Sequence, residues 1–152
     1  MREAVIVAAT RTAVGRRKGG FADVRPDDLL ADILESVVKR AGIEKAAVED
    51  VIIGCVTQSQ EQSMNIARTA TLMAGFPIEV PGVTIDRQCG SSLQAMHFAA
   101  QAILAGDMDI VIAGGVESMT RVPMFIHTDG AQQSKRLREQ YDIIHQGVSA
   151  ER

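Results

Sequence analysis

The run Val83-Thr84-Ile85-Asp86-Arg87-Gln88-Cys89-Gly90-Ser91-Ser92-Leu93-Gln94-Ala95 changes its periodicity at a single cysteine. Before Cys89, the β-branched residues suit a strand. After it, Leu93, Met96, Ala100, Ile103 and Leu104 recur at helical spacing until Gly106-Asp107 stops them. A strand that turns tightly into a helix places Cys89 at or beside the helix start. Unpaired backbone N–H groups and the helix macrodipole stabilise an anion there by about 0.3–1 kcal/mol. The thiolate is the nucleophilic form of cysteine. Gly90 and the small Ser91 and Ser92 allow close approach of a substrate and leave N–H groups for a developing oxyanion. The same placement also fits a plainer role, because free cysteine often serves as a small buried hydrophobe and serine as an ordinary cap.

The remainder of the chain alternates in the same way. Ala4 to Ala9 and Asp109 to Gly115 are apolar along their length, as strands covered on both faces are, and Val48 to Val56 forms a further strand. Pro26-Asp27-Asp28 opens a helix whose apolar stripe, Leu29, Leu30, Ile33, Leu34, Val37, Val38 and Ala41, ends at Gly42. Ile66, Ala67, Ala70, Leu72 and Met73 mark another helix, closed by Gly75. Four strands alternating with helices predict an α/β fold with a mostly parallel sheet covered by helices on both faces. Ligands of such sheets sit beyond the carboxyl ends of the strands, where Cys89 and the Gly114-Gly115 pair both fall. Cys55 has no helix signature after it and reads as core filler. From Glu117 onward the character changes, and residues 127 to 152 hold few large apolar side chains; only Leu137 to Tyr141 shows a helical pattern. Ser149 to Arg152 resembles the opening of a helix cut short, which suggests a truncated polypeptide.

Composition removes several classes of function. A formal charge of −3, with no like-charge block longer than Arg16-Arg17-Lys18, predicts no nucleic-acid partner. That triplet reads as a solvated loop, and the glycines around it make neither a phosphate loop nor a dinucleotide fingerprint. No apolar stretch approaches the roughly 20 residues that cross a bilayer. Two cysteines with no signal-like N-terminus predict a reducing, cytoplasmic setting, and neither has the spacing of a zinc site. No metal and no cofactor are expected.

With these segments in hand, the chain resembles the thiolases, the acyl-CoA:acetyl-CoA C-acyltransferases. The residues that carry the likeness are Ala8-Ala9-Thr10-Arg11-Thr12 with Gly15, Asn65-Ile66-Ala67-Arg68, Cys89 to Ala95, and Ala113-Gly114-Gly115-Val116-Glu117-Ser118-Met119-Thr120 with Pro123. Ketoacyl synthases share a Cys-x-Ser-Ser turn, but Gly90 and the Gly-Gly-Val-Glu-Ser-Met run are thiolase-like. The resemblance implies a layered fold of two duplicated halves. Residues 1–118 would form most of the N-terminal half, with its last strand missing, and residues 119–152 would open an inserted loop domain. It also implies that Cys89 takes the acyl group as a thioester, that coenzyme A and acyl-CoA are the substrates, and that the protein is a homodimer or homotetramer of lipid metabolism. The family's activating histidine and second cysteine lie in the C-terminal half and have no counterpart here, so the 152 residues alone would be inactive. His145-Gln146-Gly147 resembles the start of the segment that lines the substrate pocket. The family commonly has methionine where Gln146 stands and frequently asparagine where Asp86 stands, departures that point toward bulkier acyl groups. His97 lies eight residues beyond the cysteine, roughly 12 Å along a helix, and His127 and His145 fall in the polar tail, so none is expected to serve as the base. Two rivals remain: a ketoacyl synthase-like condensing enzyme, and a non-catalytic fragment that only pairs with a partner chain.

Overall fold

The computed structural model describes residues 2–128 and 130–152. Its centre is a three-stranded parallel sheet of β1 (Asp50–Gly54), β2 (Gly82–Ile85) and β3 (Val111–Gly115), in the order β2-β1-β3. Val51 pairs with Gly82 on one side and with Ile112 on the other. The helices are α1 (Pro26–Ala41), α2 (Ile66–Met73), α3 (Ser91–Ala105) and two short ones, α4 (Lys135–Gln140) and α5 (Gln146–Ala150).

The chain steps from β1 to β2 in one direction and from β2 to β3 back across the sheet. Crossovers of one hand that run in opposite directions put their helices on opposite faces. That is the arrangement found. Val51, Ile53 and Cys55 join Leu30, Leu34 and Val38 of α1 and Ile66, Ala67 and Ala70 of α2 in the main core. Ile52 points the other way, against Ala95 and Ala99 of α3. Leu34, Ile53 and Ile66 are each fully buried, which contributes roughly 1.5–3 kcal/mol per side chain.

The predicted helix limits follow from local chemistry. Pro26 is pre-set for the first helical position, Asp27 and Asp28 face the positive end of α1, and Lys39 and Arg40 face the negative end. Gly42 ends it at φ 68°, donating to the carbonyls of Val38 and Lys39 while Ile43 N–H also reaches Val38. Asn65, itself left-handed, caps α2 by accepting from the Arg68 N–H.

One predicted element is absent. Residues 4–9 form no strand: they have no ladder partner among the described residues, and Val5, Ile6 and Val7 are 71–75% exposed. Near its ends the run is tied by an Arg2–Asp109 ion pair at 2.6 Å and by Arg40 Nη1 donating to the Ala9 carbonyl at 2.8 Å. A continuous apolar run states what environment a segment suits, but a strand also needs a hydrogen-bonding neighbour for its backbone. The sheet therefore has three strands rather than four, all parallel. In the tail, the Leu137 pattern becomes α4, and Ser149 falls within the short α5. No side chain of α4 or α5 is buried.

Candidate active site

The carboxyl ends of the three strands converge on the first turn of α3. Beyond Ile85 the chain makes a tight turn in which the Gly90 N–H donates to the carbonyls of Arg87, at 2.8 Å, and Gln88, at 2.7 Å. Ser91 Oγ reaches back to accept from the Arg87 N–H at 3.1 Å. Cys89 occupies the turn at φ 56°, in the left-handed region that non-glycine residues enter at a cost. It is exposed. The helix begins at Ser91 with Gly90 as its N-cap, and no side chain caps it. Its leading N–H groups therefore have no side-chain acceptor. The buried, inert alternative for Cys89 does not hold; the exposed, helix-start placement does.

Two glycines seat that helix. A Cβ on Gly54 would overlap the backbone of Ser91 and Ser92 and lie 2.7 Å from the Ser91 Cβ. A Cβ on Gly115 would lie 2.7 Å from the Ser92 Cβ and 3.1 Å from the Gly54 carbonyl oxygen. The first turn of α3 thus rests directly on the ends of β1 and β3. Of the Gly114-Gly115 pair only Gly115 is closely approached, since a Cβ on Gly114 would meet only Ile53 Cδ1 at an ordinary 3.7 Å.

Cys55 is buried, as expected of core filler. Burial, reinforced by the negative charges of Glu117 and Asp86, pushes its thiol up to about 12, so it stays protonated and unreactive at neutral pH. Its sulfur accepts from Gln62 Nε2 at 3.4 Å. Gln62 is fully buried and also donates to the Thr57 carbonyl at 2.8 Å and to Glu117 Oε1 at 2.6 Å, while its own Oε1 accepts from the Ser118 N–H at 2.7 Å. Glu117 Oε2 accepts from the Val56 N–H at 2.9 Å. This cluster joins the loops after β1 and β3 and was not visible in the sequence, where Gln62 sits in a polar loop with its partners up to 56 residues away.

The other predicted positions lie elsewhere. His145 is exposed; its Nδ1 accepts from the Gly147 N–H at 3.1 Å at the start of α5, and its ring meets the edge of Phe125 with centroids 6.3 Å apart. Gln146 is the exposed first residue of α5. His97 and His127 are also exposed. Arg16, Arg17 and Lys18 lie in an exposed turn tied to the loop after β3 through Lys18 N–H and Thr120 Oγ1 at 3.1 Å. Among the described residues no group of three or more histidine, cysteine or acidic side chains could hold a metal ion, and no helix is long and apolar enough to cross a membrane.

An exposed cysteine in a left-handed turn between a parallel strand and the uncapped start of a helix is the arrangement at the centre of this α/β fold. Residues 4–150 match the family described as thiolase, N-terminal domain, and the chain belongs to that family. It is 52% identical over 124 residues to a steroid 3-ketoacyl-CoA thiolase of Mycobacterium tuberculosis, covering 82% of this chain and 30% of that protein. It is 48% identical over 143 residues to the 3-oxoadipyl-CoA/3-oxo-5,6-dehydrosuberyl-CoA thiolase of Escherichia coli, covering 93% and 35%. The crystal structure of the Bacillus anthracis acetyl-CoA acetyltransferase superposes with a TM-score of 0.77 at 39% identity, over 95% of this chain and 35% of that one. The chain therefore spans about a third of the length of the relatives it matches.

Proposed function

We propose that this chain supplies the nucleophile of a thiolase. Cys89 takes an acyl group from a coenzyme A thioester and passes it on in a ping-pong sequence. In the cleavage direction the Cys89 thiolate attacks the 3-keto carbon of a 3-oxoacyl-CoA, the bond between C2 and C3 breaks, and acetyl-CoA leaves after its C2 carbanion gains a proton. The thiolate of free coenzyme A then attacks the Cys89 thioester, releasing the shortened acyl-CoA and regenerating the Cys89 thiolate. The condensation direction reverses these steps. The observation that carries this reading is the exposed Cys89 in a left-handed turn directly before an uncapped helix, where N–H groups can meet the oxyanion of each tetrahedral intermediate.

The bases that move protons at coenzyme A and at C2 are assigned to parts of the protein outside these 152 residues, because the activating histidine and second cysteine that the resemblance implies have no counterpart here and His145 makes its contacts with Gly147 and Phe125. The same reading carries further proposals: residues 119–152 open a loop domain, His145 and Gln146 contribute to the acyl pocket, no cofactor is used beyond coenzyme A as co-substrate, and the protein works as a cytoplasmic homo-oligomer in fatty-acid breakdown. The names of the relatives support the substrate class. The test is to incubate the full-length protein with acetoacetyl-CoA and examine peptides by mass spectrometry. An acetyl thioester on Cys89, lost in Cys89→Ser, is expected. A folded full-length protein that never acylates Cys89 would sink the proposal and favour a non-catalytic pairing role.

A further inference from the structure

We propose that Gln62 is a positioning residue for Cys89, acting through Glu117 as a side-chain rung that extends the sheet one step beyond its last backbone hydrogen bonds. The inference rests on the reading of Cys89 as the acyl carrier, but its geometry is independent of that reading.

The backbone ties at the ends of the strands stop early. Cys55 N–H donates to the Ile85 carbonyl at 3.0 Å, joining β1 to the strand that leads into the cysteine turn. Val116 N–H donates to the Gly54 carbonyl at 3.0 Å, joining β3 to β1. Past these two bonds the chains diverge into loops, and no further backbone pair connects Val56 with Glu117. Side chains take over at that level. The Val56 N–H is met by Glu117 Oε2 at 2.9 Å, Glu117 Oε1 accepts from Gln62 Nε2 at 2.6 Å, and Gln62 Oε1 accepts from the Ser118 N–H at 2.7 Å. The remaining amide proton of Gln62 is shared between the Thr57 carbonyl at 2.8 Å and Cys55 Sγ at 3.4 Å. The orientation of the amide is determined by this set: turned over, its NH2 would face the Ser118 N–H and its oxygen would face a carboxylate.

The rung closes immediately beyond Gly54 and Gly115, the two residues on which the first turn of α3 rests. Their mutual spacing is the seat of Ser91 and Ser92, and Ser91 Oγ in turn holds the Arg87 N–H of the turn that contains Cys89. A glutamine in the loop after β1 thereby determines where the thiol and the helix N–H groups sit relative to each other. A displacement of about 1 Å between a nucleophile and its oxyanion donors is enough to lower rates substantially.

Two variants test this in the full-length protein, with two readouts. Gln62→Met keeps length and volume but removes all the hydrogen bonds of the amide. Glu117→Gln changes an exposed residue and keeps its shape; an amide has a single oxygen to offer two donors, Val56 N–H and Gln62 NH2, so one bond is lost whichever way it turns. The first readout is the rate of alkylation of Cys89 by iodoacetamide at pH 8, followed by peptide mass spectrometry. The second is kcat and KM for acetoacetyl-CoA thiolysis. Gln62→Met is expected to slow Cys89 alkylation at least five-fold and to lower kcat by a similar factor with KM for coenzyme A unchanged, and Glu117→Gln to slow both at least two-fold. A folded Gln62→Met protein within five-fold of wild type, or a folded Glu117→Gln protein within two-fold, overturns the proposal. Should Gln62→Met fail to fold, Glu117→Gln decides alone. A wild-type protein that alkylates at Cys89 but never turns over acetoacetyl-CoA would refute the thiolase reading while leaving the alkylation comparison intact.

Discussion

Ser92 of α3 sits on Gly115 of β3 so closely that a methyl group on the glycine would lie 2.7 Å from the serine Cβ. The contact lets a helix start where two strands end, and the matching one at Gly54 is tighter, involving helix backbone as well as the Ser91 Cβ at 2.7 Å. Inserting a methyl group into a closed contact typically costs about 1–3 kcal/mol. Gly115→Ala is therefore expected to destabilise the protein by about 2 kcal/mol and Gly54→Ala by about 3 kcal/mol, since the Gly54 Cβ would overlap two helix backbone atoms where the nearest atom at Gly115 is 2.7 Å away. Urea-unfolding midpoints of the two variants check the order. Equal and small losses would show that α3 shifts freely and that the seat is not rigid.

Cys89 itself lies at φ 56°. A non-glycine residue in that region costs roughly 1–2 kcal/mol, partly offset for glycine by its greater freedom in the unfolded chain. Cys89→Gly is expected to be more stable than Cys89→Ala by about 1 kcal/mol, although both remove the thiol. Thermal unfolding of the pair is sufficient. A more stable alanine variant would mean that the left-handed turn carries no strain.

The two thiols differ in exposure. Cys89 is exposed, whereas Cys55 is buried and pushed up to about 12 by its surroundings. Iodoacetamide at pH 8 is expected to add one group to the native protein's residues Cys55 and Cys89 taken together, at Cys89, and a second only after denaturation. The readout is the alkylation state of the two peptides. Modification of Cys55 in the native state at a rate comparable with Cys89 would contradict its burial.

How much of this was legible in the sequence depended on how far apart the causes lie. α1 could be bounded to the residue because Pro26, the two aspartates and Gly42 are local signals, and the Cys89 turn showed itself because periodicity changes across it. The role of Gly54 was hidden: its neighbours are Ser91 and Ser92, and nothing near it in the chain distinguishes it from any glycine in a strand. Gln62 was hidden for the same reason, since its loop looks merely polar until Glu117 and Ser118 are brought beside it. Residues 4–9 erred in the opposite direction. Val5, Ile6 and Val7 have the composition of a buried strand, but composition cannot supply the neighbour that would make it one.

Glu61 carries the last prediction. Arg121 grips both its oxygens at 2.6 Å, and Arg25 adds a contact at 3.2 Å while holding Asp27 with its remaining nitrogens at 2.7 and 3.0 Å. Arg121 Nη1 also donates to the Ala22 carbonyl, so the network ties the loop after β3 to the start of α1. Single surface ion pairs contribute little, but bidentate geometry shared among several charges is the exception. Hydrogen bonding from Arg121, with the charges of Arg121 and Arg25, holds Glu61 below its ordinary 4.5. For Asp27, burial pushes the other way, but the Arg25 hydrogen bond and charge outweigh it and hold the group below 3.8. A carboxylate whose pKa is lower folded than unfolded contributes stability above its unfolded value, and that contribution disappears as pH falls through the folded one. Glu61→Gln, which keeps the shape and loses the charge, should therefore be less stable than wild type at pH 7, and the gap should close as pH falls below about 4.5. Urea midpoints for both proteins at pH 7 and in the acid range measure the gap directly. A gap that stays constant through that range would mean that the charge on Glu61 contributes nothing and that its shape alone holds the loops together.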